Sequence, residues 1–264
     1  MQSHSSSVVA GIVSRDRLVV VSCIVLVTAL AWVYLFHLGE VMTAAAAGDS
    51  MMARMGMTAG VPWSARDFLF AFAMWAVMMV GMMLPSAAPL ILLFMQMRTS
   101  RNDEHSSTKG LLFGAAHVSV WIAFSGVAAL LQWALHTSAL LSPEMSLISS
   151  RAAGVILIGA GAYQLSPLKS ACLTRCQSPL GFLLSNWREG AKGAVQMGLR
   201  HGTYCLGCCW ALMFVLFVVG VMNLAWVAAL TVFILLEKIG PAGVRVARVS
   251  GAAIIVAGLF SLAG

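Results

Sequence analysis

Charge is what this sequence has least of. Only 9% of its 264 residues are Asp, Glu, Lys or Arg, while 60% are hydrophobic. That charged share is about a third of the share in an ordinary soluble domain. From Phe68 to Met97 there is no charged side chain at all. Thirty helical residues rise roughly 45 Å, enough to cross a bilayer with both headgroup layers. A soluble domain has no room either, because the longest stretches outside the apolar segments are 39–67 and 169–201. No internal repeat is present, and no P-loop or comparable nucleotide-binding signature, so any transport would be passive or coupled to an ion gradient. A net charge of +7 would ordinarily raise the question of nucleic acid. In a chain this apolar the distribution of that charge among loops matters more, and nothing points to nucleic acid.

What remains is an all-α polytopic transmembrane helix bundle in a single domain, residues 1–264, with the lipid bilayer as its first partner. Seven apolar segments are expected, at about 18–38, 68–97, 110–135, 152–168, 202–222, 224–239 and 247–263. The stretch 201–236 is 36 residues without charge, too long for one ordinary span, and Asn223 in "GVMNLAW" is the polar residue that can split it into a hairpin. The segments 15–17, 98–109, 169–201 and 238–248 hold 13 of the 16 Lys and Arg residues, and the alternate loops hold Arg54, Arg66 and Arg151. That asymmetry places the amino terminus, with a short tail over 1–17, on the cytoplasmic side and the carboxyl terminus outside. The apolar region Leu18 to Phe36 exceeds the roughly 7–15 residues of a signal peptide, so it reads as an uncleaved anchor. Residues 39–67 are then an outer methionine-rich loop. Residues 169–201, an inner amphipathic loop bearing a cysteine pair, mix apolar and basic positions and read as an interfacial helix on the inner face.

Two kinds of soft donor stand out. In "MWAVMMVGMM" five of ten residues are methionine: Met74, Met78, Met79, Met82 and Met83. On a helix Met74, Met78 and Met82 lie at about 0°, 40° and 80°, and Met79 and Met83 at about 140° and 180°. A methionine stripe is commonly packing, because the side chain fills irregular gaps. Thioether sulfur is also a ligand that suits Cu(I) and poorly suits Mg²⁺ or Ca²⁺. The outer segment adds Met51, Met52, Met55 and Met57 in "MMARMGM", where gap filling explains less.

Five of the six cysteines form the second kind. Cys172 and Cys176 lie in "PLKSACLTRC", and Cys205, Cys208 and Cys209 in "RHGTYCLGCCW". On a helix His201, Cys205 and Cys208 fall at about 0°, 40° and 340°, with Cys209 adjacent at about 80°. Buried cysteines can serve as small apolar residues, which suits the lone Cys23. Five thiols and an imidazole at one boundary read instead as a metal or redox centre. His117, roughly 12 Å inside the third segment by helical rise, is an ionisable group at membrane depth and so a functional candidate. Its plainer reading is a histidine satisfied by a backbone carbonyl. Glu237 and Lys238 most simply pair with each other or with Arg245.

"MWAVMMVGMMLPSAAP", "YQLSPLKSACLTRCQSPLGFLL" and "GLRHGTYCLGCCWALMFVLFVVGVMN", followed by "LLEK", resemble bacterial proteins of domain of unknown function 2182, described as predicted metal-binding integral membrane proteins. The resemblance runs from about Met74 to Lys238. It implies a metal-binding role for Cys172, Cys176, Cys205, Cys208 and Cys209, and it names neither metal nor reaction.

Three readings differ in class. The first is Cu(I) handling or transport, from the outer methionines along the second segment to the thiols, with a metallochaperone or a second copy of the chain as partner. The second is a membrane thiol–disulfide oxidoreductase using Cys172/Cys176 and Cys205/Cys208, at odds with a reducing compartment. The third is a structural Zn²⁺ clamp of Cys and His. Copper takes precedence because only it uses both the methionines and the cysteines.

Overall fold

A computed structural model describes residues 2–54, 64–101, 103, 105–138, 141, 147, 149–240 and 242–263, with side chains from Arg15 onward except at 43 and 46–54. Among the described residues there are nine helices and no strand: α1 (Gln2–Arg54), α2 (Ala65–Thr99), α3 (Ser106–Thr137), α4 (Ser150–Leu165), α5 (Pro167–Gln177), α6 (Pro179–Asn186), α7 (Gly190–Val219), α8 (Leu224–Ile239) and α9 (Gly243–Ala263). Five are long and apolar enough to cross a membrane: α1 over Arg15–Met42, α2, α3, α7 and α9. The expected segments at 152–168 and 224–239 are helices as well. At 16 residues each, α4 and α8 rise only about 24 Å, less than the roughly 30 Å of bilayer hydrocarbon.

Local chemistry explains where these helices start and stop. Ser64 caps α2 by a reciprocal box with Asp67: the Ser64 amide donates to Asp67 Oδ2 at 2.8 Å and the Asp67 amide to Ser64 Oγ at 3.4 Å. The long uncharged run is split where Asn223 allows it. α7 ends at Gly220 with φ +95°, a conformation costly for any residue with a Cβ. Asn223 then caps α8 by accepting from the Trp226 amide.

Two expected boundaries move. The first segment does not end near residue 38, since α1 continues as helix to Arg54; the stretch "AAAAGDSMMAR" is mostly strong helix formers. Met51 and Met52 are therefore helical, and Met55 and Met57 lie outside the described residues. The inner loop is helical, as expected, but it is broken into several helices rather than one. Pro167 and Pro179 open two short helices, α5 and α6, and α7 begins at Gly190, well before residue 202. Lys192 and Arg200 interrupt the apolar run but are good helix formers, and both stay exposed while Gly193, Ala194, Met197 and Gly198 are buried.

α2 packs between α1 and α3, α3 packs on α7, and α4 and α9 pair along their length. The main core gathers the methionine face of α2 with Trp75, Trp121, Leu212, Leu216 and Phe217. Trp75 stacks near Phe217 (5.3 Å between centroids) and donates to Gln132 Oε1 at 2.6 Å. At one end of the bundle the helix termini are tied by charge. Buried Arg98 pairs with Asp103 at 3.0 Å and Glu189 at 3.2 Å, and its guanidinium lies over Phe94 and Trp187. Ser106 donates to Asp16 at 3.1 Å, bringing the start of α3 to the point where the apolar part of α1 begins. Partial burial works against ionisation of Asp103, but hydrogen bonds from Lys109 and Arg98 outweigh it and hold the pKa to about 2.

Candidate metal centre

The polar interior of the bundle is built on α7. His201, Cys205, Cys208 and Cys209 share its buried face, as their spacing predicts. The early start of α7 changes their depth. Cys205 lies about 22 Å along the helix axis from Gly190, near the middle of α7 rather than at its end. Cys208 Sγ donates to the Cys205 carbonyl at 3.1 Å and lies 3.1 Å from Cys209 Sγ. α5 brings its thiols to the same place. Cys176 is close enough to Cys208 to interact with it electrostatically, and Cys172 Sγ would come within 2.9 Å of a Cβ at Gly207. The missing side chain at Gly207 is what lets α5 seat a thiol there. All six cysteines are free thiols.

Glu237 and Lys238 do not pair with each other or with Arg245. Adjacent residues on a helix point about 100° apart, and each takes a different neighbour. The Glu237 carboxylate accepts from Lys169 Nζ at 2.7 Å and from Gln164 Nε2 at 2.8 Å. Lys169 and Glu237 are 0% and 1% exposed, so Lys169 is an interior cation rather than part of an interfacial face. Gln177 Nε2 adds a bond to the Glu237 carbonyl at 2.7 Å. Lys238 turns toward the thiols: its ammonium donates to Cys205 Sγ at 2.8 Å and to Ser86 Oγ at 3.0 Å, with Met83 Sδ at 3.9 Å. Cys176, Cys208 and Cys209 are within its electrostatic reach. One dipeptide at the end of α8 therefore ties α5 through Glu237, and α7 and α2 through Lys238.

His117 is not satisfied by a backbone carbonyl. Its Nδ1 lies 3.1 Å from Nδ1 of His201, with the rings stacked at 4.9 Å. His201 thus takes an imidazole rather than a thiol as its hydrogen-bonding partner. Met74, Met78, Met79, Met82 and Met83 are all 6% exposed or less in the core cluster that also holds Cys205, Cys208 and Cys209. Of these five, Met83 is the one placed against Lys238. Sequence reasoning missed Lys169, Ser86 and the two directions taken by Glu237 and Lys238. For Glu237 and Lys238 the available signal was their charge at the end of an apolar segment; Ser86 and Lys169 carried none.

Among the described residues no three His, Cys, Asp or Glu side chains gather in a metal-holding arrangement. The donors come as pairs: two thiols on α7 and two imidazoles across α3 and α7. This donor set, sulfur-rich and out of water, fits a soft cation that accepts few ligands, and fits poorly a tetrahedral Zn²⁺ with four.

An all-helical bundle with membrane-length helices and buried paired soft donors defines a class of metal-handling helical proteins. Within that class the chain belongs to the PpoB2 family of copper chaperones, whose sequence model matches residues 72–261. The matched region runs from α2 to α9 and contains His117, His201, Lys169, Lys238 and every cysteine except Cys23. No curated protein and no solved structure matches the chain.

Proposed function

We propose that this protein is a bacterial inner-membrane Cu(I) handler that holds the ion at the thiols of α7 and α5. The single observation that carries the reading is the burial of Cys205, Cys208 and Cys209 on one face of α7, with half-buried Cys176 near Cys208 and with Lys238 reaching both Cys205 and Met83. Membership of a copper family supports the choice of metal. Thiolate and thioether donors select Cu(I) over harder ions, and the bundle excludes the water that would otherwise compete. Cys208 and Cys209 are the ligands of choice, with Cys176 and Cys205 in electrostatic contact with them and Cys172 on the neighbouring turn of α5. The basic helix ends face the cytoplasm, in keeping with the distribution of Lys and Arg. The five methionines of α2 form the approach: thioethers bind weakly, thiolates strongly, so affinity rises along the path. A metallochaperone or a second copy supplies or receives the ion.

The test is copper analysis of detergent-purified protein loaded with Cu(I) without oxygen, with the ultraviolet copper–thiolate absorption as the readout. Wild type shows that absorption, and the Cys205→Ser/Cys208→Ser form loses it. Tightly held zinc in place of copper in the wild type would overturn the reading in favour of a structural site.

A further inference from the structure

We infer that His117 and His201 form a second Cu(I) site, nitrogen-only and separate from the thiols, so that one chain holds two ions. The inference rests on the proposal that Cu(I) is the cargo, and it adds a site that the thiol reading does not require.

The packing of α3 on α7 is closest where the two histidines meet. A Cβ at Gly198 would lie 2.3 Å from the Phe113 carbonyl oxygen, and one at Gly202 would lie 3.0 Å from the His117 carbonyl oxygen and 2.8 Å from Val120 Cγ2. Glycine on both sides of His201 allows the backbones to touch, and that contact presses the imidazoles together. The histidines are 0% and 5% exposed. Phe113 and Phe182 pack against the His201 ring, at 6.1 Å and 5.4 Å between centroids. Nothing in the apolar packing asks for two imidazoles here.

The hydrogen bonding is also incomplete. A contact between two Nδ1 atoms needs one ring to donate and the other to accept. His117 Nε2 is then left buried with no partner, whichever tautomer the ring takes. An ion held between the two Nδ1 atoms would take both of their lone pairs and leave each ring proton on Nε2. Imidazole is a good donor for copper. With metal–nitrogen bonds of about 2 Å, one nitrogen from each ring can flank an ion if the pair opens by roughly 1 Å, a side-chain rotation that leaves the helices in place.

The thiols are near but distinct. Cys205 follows His201 by four residues, about 6 Å of helical rise, and no third His, Cys, Asp or Glu joins either donor pair among the described residues. Two sites of different strength one turn apart on α7 give a ladder. The nitrogen pair is the weaker stage, where the ion exchanges; the thiols are the tighter store.

Cu(I) alone, added without oxygen to the full chain in detergent, is the probe, with bound copper and its X-ray absorption first shell as readouts. The five-serine form (Cys172→Ser, Cys176→Ser, Cys205→Ser, Cys208→Ser and Cys209→Ser) keeps about half the copper of wild type, now with an imidazole shell near 2 Å and no sulfur. Adding His117→Asn and His201→Asn removes it. With the cysteines intact, His117→Asn/His201→Asn loses the imidazole shell and about half the copper while the sulfur shell stays, so the answer does not depend on the five-serine form folding. Equal copper with and without the histidines, or a five-serine form that folds and binds none, overturns the second site and leaves the thiol reading standing. A wild type with no sulfur shell defeats the thiol reading instead.

Discussion

Lys238 Nζ lies 2.8 Å from Cys205 Sγ, a contact that joins the last turn of α8 to the middle of α7. The same ammonium donates to Ser86 on α2 at 3.0 Å. A cation in an apolar interior is tolerated only when its donors are taken up, and here they are directed at the group of soft donors that defines the centre. The lysine therefore has two roles: it seats α8 against the bundle, and it sets positive charge beside sulfur.

Lys238→Met tests the first role. Methionine keeps much of the length and apolar volume but offers no donor, leaving Ser86 and Cys205 without the partner they have. Losing charge-assisted bonds of this kind costs about 1.5–3 kcal/mol. Thermal unfolding in detergent should shift down accordingly, while the copper–thiolate absorption persists because every thiol remains. Unfolding at or above the wild-type temperature would show that the lysine does not hold α8 in place.

Lys169 and Glu237 make the complementary test. Both are buried and 2.7 Å apart, and Lys169 sits on the short helix that carries Cys172 and Cys176. Removing one partner of a buried pair leaves an uncompensated charge, at a cost of about 3–5 kcal/mol. Glu237→Gln and Lys169→Met should each destabilise by that order, and the double variant by less than the sum. The Cys176 thiol should also become more reactive to alkylation in either single variant, because α5 is held over α7 by this pair. Additive losses with unchanged alkylation would mean that the two residues act independently.

The contrast between these contacts and the helices shows what the chain's local pattern reveals. α2, α3 and the break at Asn223 follow from apolar runs and a polar interruption, and the common face of His201, Cys205 and Cys208 follows from helical spacing. The partners across the fold do not. His117 meets His201 from 84 positions away, Lys169 meets Glu237 from 68 and Cys205 meets Lys238 from 33. No period in the sequence encodes such pairings. Glu237 and Lys238 look like neighbours that would neutralise each other, and the helix instead turns them to different sides. The start of α7 was hidden for another reason: exposed Lys192 and Arg200 end an apolar window without ending a helix.

Acid should loosen the clamp at the end of the bundle. The Asp103 carboxyl has a pKa of about 2 in the folded protein against an ordinary value of 3.8. A lowered folded pKa means that its contribution is complete above the ordinary value and is lost as pH falls through about 2. Between pH 4 and 2 the unfolding temperature of wild type should therefore fall more steeply than that of Asp103→Asn, which cannot titrate there. Parallel pH profiles for the two proteins would remove Asp103 from the clamp.

The methionines of α2 pose the last question, because their burial suits packing and passage equally. Met74, Met78 and Met82 are 6%, 1% and 0% exposed, inside the same core cluster as the α7 thiols. Leucine has nearly the same volume, and each Met-to-Leu exchange usually costs less than about 1.5 kcal/mol. The triple leucine variant should insert and fold, as helicity and detergent chromatography will report. Leucine has no lone pair for a metal, so an approach made of thioethers would be cut. Copper accumulation by cells should fall selectively, while purified variant protein still shows the copper–thiolate absorption, since the thiols are untouched. Accumulation equal to wild type would mean that these side chains fill the space between α2 and α7 and carry nothing, and the ion must then reach the thiols by another route.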